Sequence, residues 1–460
     1  MALKGRHIVG IADLARCELE LLFRCADRFG AQPRGDTHLG RGYQLATLFY
    51  EPSTRTRLSF ESAMNRLGGA VLAVPDADAS SAAKGESLAD TVRVVSAYAD
   101  VIVLRHPAEG AARLAADVAT VPVVNAGDGA HEHPTQTICD LYTLYRECGR
   151  VQGLTVTLYG DLKYGRTVHS LAYGLATFGA RLVFAPADPA LAPPAYLLDR
   201  LAADFGCAPD WWHPDSGLPM PPSDALYLTR IQRERFDGDP GLRHYPRVDR
   251  AQLARWGVGD HTLLLHPLPR AGELAPELDP EPRSAYFRQA ANGVPVRMAT
   301  LALLLGIAEE EWGSGRLNAR PGALGDGALV ADPHHAALAQ GHAAFRAAGL
   351  SCPNPACIAS RERDAVEPRF VFAGLIERSG DRHLSLHCRY CEQPVRAAGV
   401  ADCRANVYRD AADPRLPALL ASAPPDAFLL LATPEHAHAQ GYLLPDRPDA
   451  TYTPALASAK

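Results

Sequence analysis

The sequence predicts an α/β protein made of two doubly wound parallel sheets, followed by a small β-rich domain. Short apolar segments alternate with segments of helical periodicity, and about seven such units precede residue 310. Continuous apolar strands separated by helices are typical of parallel sheets covered on both faces, and this number of units fits two domains of ordinary size. Two cysteine pairs near the C-terminus then indicate a separate small module.

The strand and helix segments follow one another in a regular order. "YQLATLFYEPS" is an apolar run closed by Pro-Ser, and "TRTRLSFESAMNRLGG" continues with helical spacing to a Gly-Gly stop. The alternation recurs in "ADVIVLRHP" with "EGAARLAADV", "VPVVNAGDG" with "PTQTICDLYTLYRECG", and "LTVTLYGD" with "GRTVHSLAYGLATFG". The runs "RLVFAPA", "DALYLTR" and "HTLLLHPLP" complete the second group, and the helical "PVRMATLALLLGIAEEEW" follows. We expect the long helix after "HPTQ" to bridge the two sheets.

Composition excludes several classes of partner. The chain has 460 residues and a formal net charge of −6, with no polybasic run that would indicate a nucleic acid or a membrane surface. No apolar run reaches the roughly 18 residues of a membrane span, and the N-terminus lacks the apolar core of a secretion signal. We therefore expect a cytoplasmic protein that binds small molecules, and we expect the six scattered cysteines to be free thiols.

A phosphate site is predicted at "PSTRTR", residues 52–57, where a strand ends and a helix begins. A helix N-terminus offers free backbone N–H groups and a positive dipole end. The hydroxyls of Ser53, Thr54 and Thr56 and the guanidinium groups of Arg55 and Arg57 add donors there. The alternative is an ordinary Ser/Thr cap followed by two exposed arginines.

Two more predicted strand ends carry polar groups. Arg105 lies at the carboxyl end of "DVIVL", and His133 and Gln136 flank a Pro-Thr helix start after the next strand. Ligands bind at the carboxyl ends of the strands in open α/β sheets, which favours a shared site. A histidine at a helix start is also compatible with a cap or a structural role.

The segments "FYEPSTRTRLSFE", "SSAAKGESLADT", "LRHPAEGAA", "NAGDGAHEHPTQTICDL", "GDLKYGRTVHSL", "LYLTRIQRERF" and "HPLPRAGEL" occur in this order. Together they resemble the catalytic chain of the aspartate carbamoyltransferase family, over about residues 1–310. The resemblance implies the carbamoyltransferase fold, transfer of a carbamoyl group from carbamoyl phosphate to L-aspartate in de novo pyrimidine biosynthesis, and no cofactor for catalysis. The resemblance implies a carbamoyl-phosphate-binding domain (1–140, completed by a helix at about 285–310) and an aspartate-binding domain (141–284). Composition and the cysteine pairs predict a linker (311–344), a zinc-binding domain (345–400) and a tail (401–460).

The resemblance also implies a role for each substrate-binding residue. The phosphate of carbamoyl phosphate is expected on Ser53, Thr54, Arg55 and Thr56, with Arg105 nearby. The carbonyl oxygen is expected to meet Thr56, Arg105 and His133, with His133 as a hydrogen-bond donor rather than a general base. The carbamoyl amide is expected on Gln136 and on the backbone carbonyls of Pro267 and Leu268.

For aspartate, the implied residues are Arg166, Arg230 and Gln232. Planar guanidinium forks suit carboxylates, although Arg230 can also pair with Glu234 one helical turn away. By resemblance, Glu51 is expected to hold domain closure by pairing with Arg235 or Arg105. The loop "SSAAKGES" is expected to reach the active site of an adjacent subunit, bringing Ser80 to the phosphate and Lys84 to both anions. This implies a homotrimer with shared active sites, either alone or as a dimer of trimers.

A structural zinc site is predicted from "CPNPAC" and "CRYC". Two cysteine pairs in a chain without a secretion signal favour tetrahedral zinc over disulfides, with Cys352, Cys357, Cys388 and Cys391 as ligands. These segments resemble the zinc domain of the aspartate carbamoyltransferase regulatory chain, whose nucleotide-binding domain the linker is too short to hold. We therefore expect a role in assembly. The tail contains one strand-like run, "AFLLLA".

Two alternatives remain at this stage. One is a carbamoyltransferase for another amine such as ornithine, whose cationic side chain would need acidic partners. The other is a non-catalytic homologue that acts as a scaffold through its zinc module. Such a homologue would be expected to lose some of the residues Arg55, Arg105, His133, Arg166 and Arg230, and all are present.

Overall fold

The computed structural model describes residues 3–31, 37–74, 84–236, 245, 247–308, 343–378, 381–405, 407–422, 424–440 and 442. The chain divides into two compact units, Met1–Ala339 and Gln340–Lys460. Ser80, nearly all of the predicted linker and the last part of the tail lie outside the described residues. Among the described helices, none has the length and apolar character needed to cross a membrane.

The first sheet of the first unit is parallel and has four strands in the order β2-β1-β3-β4. Its strands are β1 (Gln44–Phe49), β2 (Ala70–Val74), β3 (Val101–His106) and β4 (Val123–Asp128). The helices of this part are α1 (Arg16–Ala31), α2 (Thr54–Leu67), α3 (Leu88–Val95) and α4 (Ala111–Val118). The chain moves outward from β1 to β2 and then crosses to the other side of β1, so the topological switch point lies between β1 and β3.

The second sheet is also parallel and has the order β7-β6-β5-β8-β9. Its strands are β5 (Thr155–Gly160), β6 (Arg181–Pro186), β7 (Asp210–Trp211), β8 (Ala225–Leu228) and β9 (Leu263–Leu265). The other α-helices in the described part of the unit are α5 (Pro134–Cys148), α6 (Arg166–Thr177), α7 (Ala195–Phe205), α8 (Arg250–Arg255) and α9 (Tyr286–Leu305). The switch point of this sheet lies between β5 and β8. Two doubly wound sheets confirm the fold class predicted for the first unit.

Helices α5 and α9 hold the two sheets of the first unit together. Helix α5 connects β4 to β5, as the sequence predicts for the segment after "HPTQ". Helix α9 follows β9 but packs against α1, α2 and α5. Its apolar side chains join one buried core with residues of both sheets, whereas the outer face of the second sheet has its own core around Trp256. The edge strand β2 departs from the expected burial, since Leu72 is 41% exposed.

The second unit is built on one seven-stranded sheet in the order β13-β12-β11-β10-β16-β14-β15. The strands are β10 (Ala344–Ala348), β11 (Arg369–Arg378), β12 (Asp381–Cys388), β13 (Pro394–Ala397), β14 (Gly399–Asp402), β15 (Val407–Asp410) and β16 (Phe428–Leu431). Its helices are α10 (Ile358–Arg361), α11 (Leu416–Ser422) and α12 (Pro434–Ala439). The predicted β-rich C-terminal domain is confirmed.

The described part of the tail continues this sheet. The boundary expected at residue 400 falls inside β14, and the run "AFLLLA" forms β16 as predicted. Strand β16 pairs with β10 in the only parallel pairing of the sheet among the described residues, and it pairs with β14 on its other side. The strands after residue 400 therefore cover an edge of β10 that would otherwise be open.

Candidate active site and metal centre

A cavity of about 460 Å³ opens where the carboxyl ends of both parallel sheets meet. Its walls come from the segments that follow β1, β4, β5, β8 and β9, and from Arg105 at the end of β3. The cavity gathers all but two of the substrate-binding residues that the family resemblance implies: Ser53, Thr54, Arg55, Thr56, Arg105, His133, Gln136, Arg166, Arg230, Gln232, Pro267 and Leu268. Of the two others, Lys84 is exposed and does not line it, and Ser80 lies outside the described residues.

The segment "PSTRTR" forms the first turn of α2. Ser53 is the N-cap residue with extended backbone, but its side chain makes no capping hydrogen bond, unlike an ordinary Ser/Thr cap. The two arginines differ, because Arg55 lines the cavity and Arg57 instead lies 3.6 Å from Glu61. Of the two arginines predicted at this turn, only Arg55 is therefore placed at the cavity. Burial and the nearby Arg230 lower the pKa of Arg55.

Glu51 contacts three arginines beside the cavity. Its carboxylate oxygens lie 3.3 Å from Arg105 Nε, 3.0 Å from Arg166 Nη1 and 3.2 Å from Arg235 Nη2. Burial alone would raise the pKa of Glu51, but Arg166, Arg105 and Arg235 together lower it, so the carboxylate is ionised. The pairs expected from the sequence with Arg235 and Arg105 are both present. Since Arg105 lies near the end of β3 and Arg166 begins α6, this carboxylate links the two sheets.

The positive charge around Glu51 exceeds the negative charge. One carboxylate faces three guanidinium groups, and burial followed by repulsion from Arg166 lowers the pKa of Arg105 to about 9. The same causes lower the pKa of Arg235 to about 10. None of the described residues that line the cavity is Asp or Glu. This excess of buried cations favours an anionic ligand.

Arg166 is held by the turn after β4. Its Nη1 also donates to the carbonyl oxygen of Gly129, at 2.9 Å. Gly127 has a φ of +111°, and a Cβ atom there would lie 2.9 Å from the Arg166 guanidinium carbon. A side chain at this position would therefore displace the arginine, which explains why the first glycine of "NAGDG" has no side chain.

His133 is buried at the start of α5. Burial, followed by the charges of Arg166 and Arg105, lowers its pKa well below the ordinary value, so the imidazole is neutral. Its Nδ1 lies 3.3 Å from the hydroxyl of Thr135. When that hydroxyl donates to Nδ1, the ring proton is on Nε2, and the side chain is a neutral donor and a poor base.

Arg230 and Gln232 follow β8. Arg230 donates to Glu234 one turn away and lies 3.0 Å from one of its oxygens, so the alternative pairing considered for the sequence is present. Its guanidinium still lines the cavity, at 3.3 Å from the side-chain oxygen of Gln232. Asp161 fixes this segment by accepting a hydrogen bond from the backbone N–H of Gln232 at 2.9 Å.

Sequence reasoning missed the wall formed by α9, which includes Gln289, Gly293 and Arg297. Arg297 is 4% exposed, and its guanidinium lies over the ring of Phe60 at 5.1 Å, while its Nε has no hydrogen-bond partner among the described residues. A Cβ atom on Gly293 would lie 2.3 Å from Arg297 Nη1, so the glycine makes room for this cation. A lone arginine within the apolar run "PVRMATLALLL" was the available signal.

The second unit contains the predicted cysteine cluster. Cys352 and Cys357 precede α10, and Cys388 and Cys391 lie at the end of β12 and in the turn after it. All four are buried, and their sulfur atoms lie within 4.8 Å of one another, with separations of 3.4 Å for Cys352–Cys391 and 3.8 Å for Cys357–Cys388. A disulfide requires about 2.05 Å. Four sulfurs around a tetrahedral zinc at about 2.3 Å would lie about 3.8 Å apart, so the cluster fits a structural metal.

Comparison with known families divides the chain in the same way. Residues 6–146 match the carbamoyl-P binding domain of aspartate/ornithine carbamoyltransferase, and residues 152–304 match its Asp/Orn binding domain. Residues 347–401 match the metal binding domain of the aspartate carbamoyltransferase regulatory chain. The third match ends before β15 and β16, so these strands lie beyond the part of the unit shared with that domain.

Relatives of known name resemble the first unit. The aspartate carbamoyltransferase catalytic subunit of Thermococcus onnurineus is 48% identical over 317 residues, which cover 67% of this chain and 100% of that one. The corresponding subunit of Methanopyrus kandleri is 50% identical, covering 66% and 98%.

Two solved structures are also similar. One is the aspartate transcarbamoylase of Trypanosoma cruzi in complex with N-(phosphonacetyl)-L-aspartic acid, with a TM-score of 0.59, 38% identity and coverage of 66% and 96%. The other is the catalytic subunit of M. jannaschii aspartate transcarbamoylase, with a TM-score of 0.56, 42% identity and coverage of 66% and 99%.

Proposed function

This chain belongs to the aspartate/ornithine carbamoyltransferase family, and we propose that it is an aspartate carbamoyltransferase of de novo pyrimidine biosynthesis. It transfers the carbamoyl group of carbamoyl phosphate to the amine of L-aspartate, giving N-carbamoyl-L-aspartate and phosphate. The observation that carries this proposal is a cavity rich in guanidinium groups and without an acidic side chain among its described lining residues. Both substrates are anions, and such a cavity suits them.

The carbamoyl phosphate site is assigned first. The phosphate binds at the start of α2 to Ser53, Thr54, Arg55 and Thr56, where backbone N–H groups and the helix dipole add to the guanidinium charge. The carbonyl oxygen accepts hydrogen bonds from Thr56, Arg105 and neutral His133. These donors stabilise the negative charge that develops on this oxygen when the amine attacks.

The reaction needs little chemistry from the protein. The amine of aspartate attacks the carbonyl carbon, the bond from that carbon to the bridging phosphate oxygen breaks, and the departing phosphate accepts a proton from the amine. Because the pKa of His133 is low, this histidine is a donor to the carbonyl oxygen and not the base. The enzyme contributes mainly approximation and charge stabilisation.

Aspartate is favoured over ornithine by the side chains available for the second substrate. Arg166, Arg230 and Gln232 bind two carboxylates, and an ornithine ammonium would find no acidic side chain in the described lining. Incubation of the purified chain with carbamoyl phosphate and L-aspartate should produce N-carbamoyl-L-aspartate, and L-ornithine should give at least 100-fold less product, on the order expected for an unpaired buried charge. Absence of turnover with aspartate, or equal turnover with ornithine, would contradict the proposal.

The active sites are shared within a homotrimer, alone or as a dimer of trimers, in which Ser80 and Lys84 complete a neighbour's site. Lys84 is exposed and does not line the cavity of its own chain. The first sheet carries exposed apolar side chains at its edge and on nearby helices: Leu58, Leu72, Val94 and Tyr98. These are the side chains that contact between subunits would bury.

Mixing two inactive variants tests shared sites. Lys84→Ala and Arg105→Ala damage different contributions to one site, so mixed trimers should recover part of the activity. Lys163→Ala is the matched control for loss of an exposed lysine, and it should remain active by itself. Hybrid trimers that form without any recovery would show that Lys84 does not serve a neighbouring chain.

The C-terminal cluster binds a structural zinc ion through Cys352, Cys357, Cys388 and Cys391, and catalysis requires no cofactor. Four thiolates complete the coordination of the metal, which leaves no position for a substrate. All ten cysteines lie among the described residues and none of them is in a disulfide, which agrees with a reducing cytoplasm as the location. The role of the zinc unit is assembly, since docking on catalytic chains does not require an open metal site.

A further inference from the structure

A buried carboxylate outside the assigned site lies directly behind the cavity. Asp140 on α5 is completely buried and accepts three hydrogen bonds. Gln136 Nε2 donates at 2.7 Å, Gln289 Nε2 at 2.6 Å and the hydroxyl of Tyr227 at 2.8 Å. These donors come from α5, α9 and β8, so one carboxylate joins three elements of the first unit. Both glutamines line the cavity, and Asp140 does not.

Asp140 decides which way the amide of Gln136 faces. An ionised carboxylate can only accept hydrogen bonds, so the NH2 group of Gln136 must face it. A flipped amide would place two oxygens 2.7 Å apart with no proton between them. The amide oxygen of Gln136 is therefore left as the group that can accept from a ligand, and a carbamoyl NH2 group needs such an acceptor.

The same carboxylate orients Gln289 and, through it, the loop after β9. The NH2 group of Gln289 faces Asp140, so its oxygen accepts the backbone N–H of His266 at 2.9 Å. His266 Nδ1 in turn accepts the backbone N–H of Leu268 at 2.8 Å. The ring proton is thus on Nε2, which donates to Glu273 at 2.8 Å.

This chain of contacts leaves two backbone acceptors beside Gln136. The N–H of His266 donates to Gln289 on α9, the N–H of Leu268 donates within the loop to His266, and Pro267 has no N–H. Within the described part of the chain, no hydrogen bond uses the carbonyl oxygens of Pro267 and Leu268, and both residues line the cavity. Three acceptors, the side chain of Gln136 and these two carbonyls, are consequently held by one network that converges on Asp140.

We propose that Asp140 and Gln289 are positioning residues that orient all three acceptors of the carbamoyl NH2 group. The network thereby selects carbamoyl phosphate over acyl phosphates that carry a methyl group in place of the amine. Acetyl phosphate has the same phosphate and carbonyl but would leave the acceptors facing a methyl group, which is costly for buried polar groups. The inference rests on the proposed function, because it concerns the carbamoyl donor of that reaction.

The test uses two α9 variants that differ in their distance from the cavity. Gln289→Met keeps the length of the side chain but removes both polar contacts. The matched control is Asn292→Leu, since Asn292 also joins α9 to α5, donating to the Thr143 hydroxyl at 2.9 Å, but does not line the cavity. For each full-length variant, three quantities are measured: kcat/KM for carbamoyl phosphate, the inhibition constant of acetyl phosphate, and the Kd of inorganic phosphate.

We expect Gln289→Met to lower kcat/KM for carbamoyl phosphate by about 10- to 100-fold, the range for a misplaced hydrogen bond at a reacting group. Acetyl phosphate and inorganic phosphate should bind within about twofold of the original chain, because neither uses the acceptors, and Asn292→Leu should match the original chain throughout. An unchanged kcat/KM, or a parallel loss for all three ligands, would overturn the proposal. The proposed function is tested separately, with the original chain. It fails if that chain forms no N-carbamoyl-L-aspartate, whereas the positioning proposal depends on the comparison of the variants.

Asp140→Asn provides a second, conservative variant. The carbonyl oxygen of an asparagine can accept from both glutamines while its NH2 group donates to the Tyr227 oxygen, so the orientation of the acceptors is preserved. We expect its preference for carbamoyl phosphate over acetyl phosphate to stay within about threefold of the original chain. A preference as low as that of Gln289→Met would assign the effect to the charge of Asp140 instead of its hydrogen bonds, and the proposal would be wrong.

Discussion

The cavity of the first unit and the cysteine cluster of the second unit both concentrate groups of one kind, but they differ in how those groups are satisfied. The cavity has an excess of guanidinium groups: Glu51 is shared by three arginines, and Glu234 pairs with Arg230. The cluster has four thiols that one tetrahedral metal ion can satisfy completely. The first arrangement stays open to exchangeable anions, and the second is closed.

The two regions also differ in what holds them in place. The cavity is framed by two parallel sheets and the apolar core around α9, so its walls persist without a ligand. The cluster joins two turns, one before α10 and one after β12, and thiolates 3.4 to 3.8 Å apart repel one another without a cation. Folding should therefore depend on the ligand only in the second region.

The largest effect is expected from loss of one cysteine. Cys391→Ser should release the metal and unfold the second unit, because binding of zinc supplies about 10 to 16 kcal/mol in small zinc domains. Metal content and limited proteolysis of residues 340–460 measure this. Cys403→Ser is the control, since Cys403 is exposed and outside the cluster. A Cys391→Ser chain whose second unit resists protease as well as the control would contradict metal-dependent folding.

A smaller effect is expected from Glu51→Gln. Removal of this charge leaves one buried and two partly buried guanidinium groups without their shared carboxylate, which should lower the unfolding free energy of the first unit by about 3 kcal/mol at pH 7. The lowered pKa means that this contribution is complete above the ordinary value for glutamate and is lost only as pH falls through the folded value. Chemical denaturation with and without phosphate measures it, and phosphate should restore more stability to the variant than to the original chain.

Glu61→Gln is the matched control for that experiment. Its side chain has nearly the same exposure as Glu51, 21% against 22%, but its ion pair is with Arg57 alone. We expect a change of less than about 1 kcal/mol. Equal destabilisation by the two substitutions would show that the shared carboxylate has no special role in the cavity.

The smallest effect concerns the pH dependence of stability at Asp140. Burial raises its pKa to about 6, despite hydrogen bonds from Gln289, Gln136 and Tyr227 and the charge of Arg297. The folded chain therefore holds a proton that the unfolded chain has lost, and the contribution to stability should fall by at most about 3 kcal/mol as pH rises from about 4 to about 6. Asp140→Asn lacks this slope, so the difference between the two denaturation curves should change over that range and be constant above it. A constant difference from pH 4 to 8 would contradict the raised pKa.

Much of the site could be predicted because single segments contain whole functional units. The start of α2 brings Ser53, Thr54, Arg55 and Thr56 together within one turn, and each pair of cysteines lies within one turn of chain. The wall from α9 could not be predicted in the same way. Gln289 and Arg297 follow the last strand of the second sheet, but they reach the cavity because their helix packs against α1, α2 and α5. No pattern in the sequence near α9 indicates that this helix packs against those three helices.

The sequence by itself determined the alternating strands and helices, the polar turn predicted to bind phosphate and the four cysteines, because each depends on residues close together in the chain. The tertiary structure decided which of two similar residues faces the cavity. Arg55 and Arg57 are two positions apart on a helix, so they point about 200° apart, and only one faces the cavity. The tertiary structure also decided that β16 pairs with β10 and that Asp140 accepts from Gln289, because packing selects the strand neighbours and buried partners that are distant in the chain.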